Sequence, residues 1–287
     1  MGYSYTGDAA RRLRDSYEGD EEPFPLDPTL SFPPRPSGRE EVDLLRQLFF
    51  PRCWNAGSIT ADAEEIGEKL AALGEILCLG IQPYVQEDCV EEVNQVLDAL
   101  PDIRAALKND VEAAYKGDPA AKSYIEIVRS YPGFQAIMIH RVAHMLYEMG
   151  FGAYARELTE FAKSETGIDI HPGAEIGAFF FIDHGTGVVI GETATIGDWA
   201  RIYQDVTLGA LHFEEEEDEE HMLSKGYKRH PDVGDHVVVG AGTKILGAVT
   251  IGDHVSIGAN SWLTEDVPDN TSVYVADHPE QRHKDLD

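Results

Sequence analysis

Cysteine is scarce. Cys53, Cys78 and Cys89 are the three in 287 residues, and none belongs to a CxxC pair. That excludes a disulfide-stapled scaffold or a cysteine zinc site as the organising feature, and makes a reducing compartment the expectation. Positive charge is also scarce: 23 Lys and Arg stand against 52 Asp and Glu, for a formal net charge of −29. Such a chain lacks the basic face that neutralises nucleic-acid phosphates, and anionic membrane surfaces repel it. No run of about 18 apolar residues occurs, and the N-terminus has no apolar core of the signal-peptide kind. The expectation is a cytoplasmic protein with no nucleic-acid partner and no membrane.

Apolar residues are plentiful, at 43% hydrophobic and 9% aromatic, so the chain can bury a core without metal or disulfide staples. The acidic excess suits solubility. It also suits a halophilic cytoplasm, where salt screens self-repulsion.

Three regions differ in pattern. Residues 1–38 carry Pro23, Pro25, Pro28, Pro33, Pro34 and Pro36, which predicts a flexible, extended arm. Residues 39–166 read as a helical domain. Val42, Leu44, Leu45, Leu48 and Phe49 recur at three- and four-residue spacing, and 61–79, 90–107, 134–149 and 153–164 repeat that pattern. Asp118-Pro119 predicts a helix start, with Asp as cap and Pro in the first helical position.

From Gly167 the period changes to six. Ile170, Ile176, Ile182 and Val188 form one run; Ile190, Ile196, Ile202 and Leu208 a second; Val233, Val239, Ile245, Ile251, Ile257 and Leu263 a third. A hexapeptide repeat is the signature of a parallel β-helix, in which each aliphatic residue points inward and stacks on its equivalents in neighbouring coils. The expected class is therefore α+β: an all-α N-terminal domain followed by a β-helix over 167–287. An insert at 210–228 interrupts it. The insert carries seven consecutive acids, Glu214 to Glu220, and predicts a solvated loop.

Three stretches stand out beside the repeat: Asp169-Ile170-His171-Pro172, Asp183-His184-Gly185-Thr186-Gly187, and Arg229-His230-Pro231. With Asp118-Pro119-Ala120 upstream, they resemble the serine O-acetyltransferase family of hexapeptide acyltransferases over roughly 118–266. The resemblance implies a left-handed coil. It also implies acetyl transfer from acetyl-CoA to the hydroxyl of L-serine, giving O-acetyl-L-serine for cysteine synthesis, in a homotrimer or dimer of trimers.

Such a reaction needs a base for the hydroxyl proton and donors for the developing oxyanion. His184 is the base candidate, since neutral imidazole acts near pH 7. The resemblance places its supporting carboxylate on Asp169, gives the substrate ammonium to Asp118 and Asp183, and gives the carboxylate to the planar fork of Arg229. His230 would contact the hydroxyl or the thioester carbonyl, and Glu192 matches a family glutamate near the Arg–His pair. Gly209, Ala241 and Ala259 match positions that let the pantetheine arm approach the backbone, and Lys244, Lys225 and Lys228 are phosphate candidates. Where the family has Gly-Gly after Thr-Leu, this chain has Gly209-Ala210, and a long acidic insert replaces a short glycine-rich loop.

Other readings remain open at this point. They are a hexapeptide acyltransferase for another small hydroxyl or amine, a purely structural β-helix, and a γ-type carbonic anhydrase with zinc between subunits. His140 and His144, four apart on a helix, could pair on a metal, but no carboxylate completes a known motif, so no metal is expected. Family members often bind O-acetylserine sulfhydrylase through a terminal isoleucine. This chain ends in Leu286-Asp287, so no tight complex with that enzyme is expected.

Overall fold

The computed structural model describes residues 8, 9, 11, 12, 38–54, 63–85, 89–216 and 221–276. The expected N-terminal arm lies almost wholly outside the described residues, as do 217–220 of the acidic run and 277–287 at the C-terminus.

Seven helices precede the repeat among the described residues from 38 onward: α1 (Gly38–Phe49), α2 (Pro51–Trp54), α3 (Ala63–Ile81), α4 (Val90–Gly117), α5 (Tyr124–Ser130), α6 (Pro132–Glu148) and α7 (Gly152–Thr166). Their apolar faces close on one core containing Leu45, Leu77, Leu107, Ile137 and Leu158, all nearly inaccessible to solvent. Asp118-Pro119 does not start a helix. Asp118 caps the end of α4, its amide bonding the Ala114 carbonyl, and its side chain accepts from the Ala120 amide at 2.7 Å to form a turn. The next helix begins at Tyr124, where the Ser123 hydroxyl takes the cap by accepting from the Glu126 amide.

α7 ends at Gly167, whose φ of 71° is left-handed and suits glycine at a helix terminus. The repeat then begins, as three parallel sheets forming the faces of a prism. The first face stacks β1 (Asp169–Ile170), β4 (Val189–Ile190), β7 (Thr207–Gly209), β10 (Lys244–Leu246) and β13 (Trp262–Leu263). The second stacks β2 (Glu175–Ile176), β5 (Thr195–Ile196), β8 (Asp232–Val233) and β11 (Thr250–Ile251). The third stacks β3 (Phe181–Ile182), β6 (Arg201–Ile202), β9 (Val238–Val239), β12 (Ser256–Ile257) and β14 (Ser272–Val273). The six-residue period is the physical cause: Ile170, Ile190, Leu208, Ile245 and Leu263 fall in one register and are buried inside the prism. Their neighbours Asp169, Val189, Thr207, Lys244 and Trp262 form an outward row on the first face.

The helices and the prism are fastened at two points. Arg141 on α6 grips Asp110 on α4 through two hydrogen bonds of 2.7 and 2.8 Å, and also donates to the carbonyls of Ile176 and Gly177. Burial pushes the Asp110 carboxyl up, while Arg141 and the Phe180 amide pull the other way. Gly133 lies so close to the prism that a Cβ there would stand 2.2 Å from the Ile182 carbonyl oxygen.

The acidic insert carries more structure than a loop. Glu215 bridges Leu223 in antiparallel fashion, and the amides of Glu216 and Ser224 donate to the carbonyls of Met222 and Glu214. The backbone pairs while the Glu214, Glu215 and Glu216 side chains stay exposed, so their like charges remain hydrated.

His140 stacks on His144 with ring centroids 5.7 Å apart, and its Nδ1 is buried without a partner. Burial holds its pKa well below the ordinary value, helped by the charges of His144, Arg141 and His171. In the unfolded chain a histidine takes its proton near pH 6.5. Below that pH the unfolded state therefore binds more protons than the native one, and stability is lost as pH falls. His171 and His230, also depressed, act in the same direction. Urea denaturation at pH 7.5 and pH 5.5 checks this: stability is expected to be lower at pH 5.5, with up to about 1.4 kcal/mol lost per pH unit for each such histidine. Equal or greater stability at pH 5.5 would contradict it.

Candidate active site

The first face has two edges, and the site residues divide between them. At the leading edge the chain arrives from the third face. Asp183 and His184 turn this corner between β3 and β4, Gln204 and Asp205 turn it one coil on, Ala241 and Gly242 the next, and Ala259 and Asn260 the next again. Backbone bonds tie these corners together: Asp205 to the Thr186 carbonyl, Gly242 to Gln204, and Asn260 to Ala241. His184, Asp205 and Asn260 all have φ near 60°, a conformation that His, Asp and Asn tolerate better than most residues. With coils about 4.8 Å apart, the corner from His184 to Ala259 forms a track of about 14 Å.

Asp118 joins this edge from the end of α4. One carboxylate oxygen accepts from the Ala120 amide and the other from the Tyr131 hydroxyl. The Tyr131 bond holds the Asp118 carboxyl below its usual range, against a smaller upward push from burial. His184 is near enough for its charge to act in the same sense. The His184 side chain is 71% exposed, with Nδ1 3.7 Å from Asp183. Asp169 begins β1 beside this corner, where the Ile168 side chain would crowd a Cβ at Gly185. It is paired with Lys163 at 2.7 Å and Arg156 at 3.6 Å. Among the described residues no ion pair joins Asp169 to His184.

At the trailing edge the chain leaves for the second face. Glu192 and Thr193 turn this corner after β4, and the insert returns to it at Arg229 and His230 before β8. Arg229 pairs with Glu192 and donates to the Tyr227 carbonyl at 3.3 Å, and its guanidinium stands 5.6 Å from the centre of the Tyr227 ring. Glu192 also accepts from the Tyr147 hydroxyl at 3.0 Å. Burial raises the Glu192 carboxyl, but these two donors and the Arg229 charge outweigh it, so the net shift is downward.

Thr193 organises the Arg–His pair. Its hydroxyl accepts from the amides of Arg229 and His230, and its own amide donates to His230 Nδ1 at 3.1 Å. Because Nδ1 accepts, the neutral ring carries its proton on Nε2. Burial and the Arg229 charge lower the His230 pKa to about 4, so at neutral pH the ring is an uncharged donor. The ring packs closely on Gly191, where a Cβ would stand 2.1 Å from it. Lys228 donates to the Thr193 carbonyl and to Asp232.

Gly209 ends β7 at the trailing edge and its carbonyl accepts from Gly247. Lys244 lies on the first face between the edges, bonded to Asp205. His140 and His144 do not converge on a shared point: His144 Nδ1 donates to the Pro172 carbonyl at 2.8 Å, and the rings stack. Among the described residues no group of three or more His, Cys, Asp or Glu could hold a metal ion, and no helix is long and apolar enough to cross a membrane. Tyr131, Tyr147 and Thr193 were not singled out by sequence. Tyr131-Pro132-Gly133 does carry a helix-start signal, but nothing in it points to Asp118.

Comparisons with known proteins bear on the family and the fold. Residues 71–138 match the family model "Serine acetyltransferase, N-terminal", and 230–265 match "Bacterial transferase hexapeptide (six repeats)". A serine acetyltransferase of Synechococcus elongatus is 54% identical over 68% of this chain, and the match spans 60% of that relative's length. One from Mycobacterium tuberculosis is 47% identical over 58% of this chain and 69% of its own length. The crystal structure of serine acetyltransferase isoform 3 from Entamoeba histolytica, in complex with cysteine, superposes with a TM-score of 0.78 at 42% identity. It covers 97% of this chain and 94% of that one. A Neisseria gonorrhoeae serine acetyltransferase in complex with serine superposes with a TM-score of 0.57 at 29% identity, covering 84% of this chain and 96% of that one.

Proposed function

This chain belongs to the serine acetyltransferase family and is an acyltransferase with a left-handed hexapeptide coil; from that premise we propose that it moves the acetyl group of acetyl-CoA to the hydroxyl of L-serine at a site completed by a second copy of itself. The product is O-acetyl-L-serine, the precursor for cysteine synthesis.

The observation that carries the composite site is the division between two edges. Asp118, Asp183 and His184 supply two anions and a base at one edge; Arg229 and His230 supply a cation and a neutral donor at the other. Between the turn at Thr186-Gly187 and the turn that opens at Glu192 the first face runs four residues, Val188 to Gly191, about 13 Å of extended chain. The ammonium and carboxylate of one serine cannot reach both edges of the same prism. Packing the leading edge of one copy against the trailing edge of the next brings them together, and a closed ring of three, or a dimer of such rings, leaves no edge unused.

In that setting Asp118 and Asp183 bind the ammonium. Arg229, with one side of its fork held by Glu192, presents its remaining N–H groups to the carboxylate. His184 takes the hydroxyl proton as the oxygen attacks the thioester carbonyl. Nε2–H of His230 donates to the oxyanion. When the tetrahedral intermediate collapses, the C–S bond breaks and His184 returns the proton to the coenzyme A sulfur. Asp169, held by Lys163 and Arg156 beside this corner, is the carboxylate that supports the transient imidazolium charge. The corner track through Ala241 and Ala259 gives the pantetheine arm a path with small side chains, and Lys244 stands where a phosphate can replace Asp205 as its partner. L-Cysteine, with the same ammonium and carboxylate, would compete with serine there.

We place the enzyme in a salty cytoplasm, the excess of acid and the scarcity of cysteine, with no CxxC spacing, being the support. Release of free thiol from acetyl-CoA, followed with L-serine and a panel of other hydroxyl and amine acceptors, tests the activity. L-Serine is expected to give the highest kcat/KM, retained above about 1 M salt, where the Debye length is about 3 Å. A different preferred acceptor would overturn the substrate assignment, and inactivation by salt would overturn the halophilic one.

A further inference from the structure

Tyr131 stands where α6 begins, beside Pro132, and lines a small cavity together with Gly133 and with Phe181 and Ile182 of β3. Its hydroxyl donates to Asp118, whose other oxygen is taken by the Ala120 amide. Burial raises the Tyr131 phenol, and the bond to Asp118 and the charges of Asp118, Glu126 and Asp183 raise it further, so the group is a permanent donor at any working pH. The Gly133 contact with Ile182 fixes the start of α6 on β3, one residue before Asp183. Tyr131 is therefore anchored to the same strand that delivers Asp183 and His184, while it holds Asp118, which arrives from a different helix. Other charged groups nearby are Lys122, whose charge acts on Asp118, and Glu126, whose carboxylate accepts from the Lys122 amide.

We propose that Tyr131 is a positioning residue for acceptor selection: by fixing one oxygen of Asp118, it aims the ionised carboxylate at the substrate ammonium. The inference rests on the serine-acetylating reading above. A carboxylate held by an amide on one oxygen and a phenol on the other has lost its rotational freedom before the substrate arrives, and that lost entropy need not be taken from binding. Without the phenol, Asp118 can rotate about its side-chain bonds and hydrate, and the ammonium meets a poorly aimed anion. The cost falls on substrates that carry an ammonium and spares those that lack one. Tyr131 does not touch the reacting atoms, so the chemical step itself is untouched.

The test uses the full-length assembled enzyme and compares wild type with Tyr131→Phe, which keeps the packed ring. Two acceptors are used: L-serine, and 3-hydroxypropanoate, which has the hydroxyl and carboxylate but no ammonium. Tyr131→Phe is expected to raise KM for L-serine on the order of tenfold, the scale of one hydrogen bond to a charged group. The kcat with serine and the KM for acetyl-CoA should stay within about twofold. The preference for L-serine over 3-hydroxypropanoate should fall by the same factor as serine kcat/KM. Asp118→Asn and the double variant Asp118→Asn/Tyr131→Phe close a cycle, in which the second change should add nothing once Asp118 is neutral. Equal losses with both acceptors, or additive losses in the cycle, would mean that Tyr131 only supports the fold, and would overturn the proposal. Should Tyr131→Phe fail to assemble, the paired measurement moves to Tyr131→Trp, which keeps a ring and a donor and should retain the serine preference; loss of that preference would overturn it. Wild type inactive with L-serine would instead refute the serine-acetylating reading, a result distinct from an active wild type with an unaltered Tyr131→Phe.

Discussion

Replacing His184 by Asn is expected to lower kcat on the order of 10²–10⁴-fold, the usual loss when a positioned base is removed. Asn is the appropriate substitution because position 184 has φ 59°, where Asn is tolerated and most residues are strained. The side chain is largely exposed and buries little, so the stability change should stay within about 0.5 kcal/mol. Asp169→Asn should also lower kcat, with serine KM less affected, since the role proposed for Asp169 is toward the imidazole and not the acceptor. Steady-state kinetics beside a thermal melt separate loss of chemistry from loss of fold. A His184→Asn enzyme with near-wild-type kcat would remove His184 from the mechanism.

Arg229→Ala should lower kcat/KM for L-serine on the order of 10²-fold while leaving the KM for acetyl-CoA nearly unchanged. Arg229 is part-buried and its partner Glu192 is confined with it, so truncation removes the proposed substrate clamp and leaves Glu192 without its cation, though still bonded to the Tyr147 hydroxyl. Arg229→Lys should recover little of the loss. One ammonium cannot reproduce a planar fork that meets Glu192, the Tyr227 carbonyl and the serine carboxylate together. Acceptors lacking the carboxylate should be turned over equally by wild type and variant. A uniform loss across all acceptors would assign Arg229 to the fold of the corner instead.

Much of the fold can be read from the chain because one period dominates it. An aliphatic residue every six positions admits few structures other than a stacked three-faced coil, and Ile170, Ile190, Leu208, Ile245 and Leu263 stack as that period requires. Helix boundaries were harder. Asp118-Pro119 carries the residue types of a helix start, yet Asp118 turns its carboxylate to Ala120 and Tyr131, and Ser123 takes the cap. The acidic run predicts a loop by charge alone. Backbone pairing between 214–216 and 222–224 is invisible to that argument because it leaves the side chains hydrated.

Arg229, His230, Asp183 and His184 stand out in sequence because their motifs are dense. Their division between two edges does not, since it depends on where each corner falls around the prism. Tyr131, Tyr147 and Thr193 act through carboxylates or a histidine distant in sequence, 37 residues in the case of Thr193 and His230. Single tyrosines or threonines in a helix or repeat carry no spacing that would announce this.

A mixed-subunit assay tests the central claim, acyl transfer to L-serine at a site shared by two copies. A His184→Asn chain retains a working trailing edge, and an Arg229→Ala chain retains a working leading edge. Each alone is expected to show strongly reduced thiol release with acetyl-CoA and L-serine. When equal amounts are co-expressed and assemble at random, each interface has a one-half chance of the right chain on either side, so about a quarter of the sites in a closed ring are intact. The mixed protein should release thiol at about a quarter of the wild-type rate and accumulate O-acetyl-L-serine. Activity no higher than the mean of the two parents would show that the edges do not meet across chains, and would contradict the composite site.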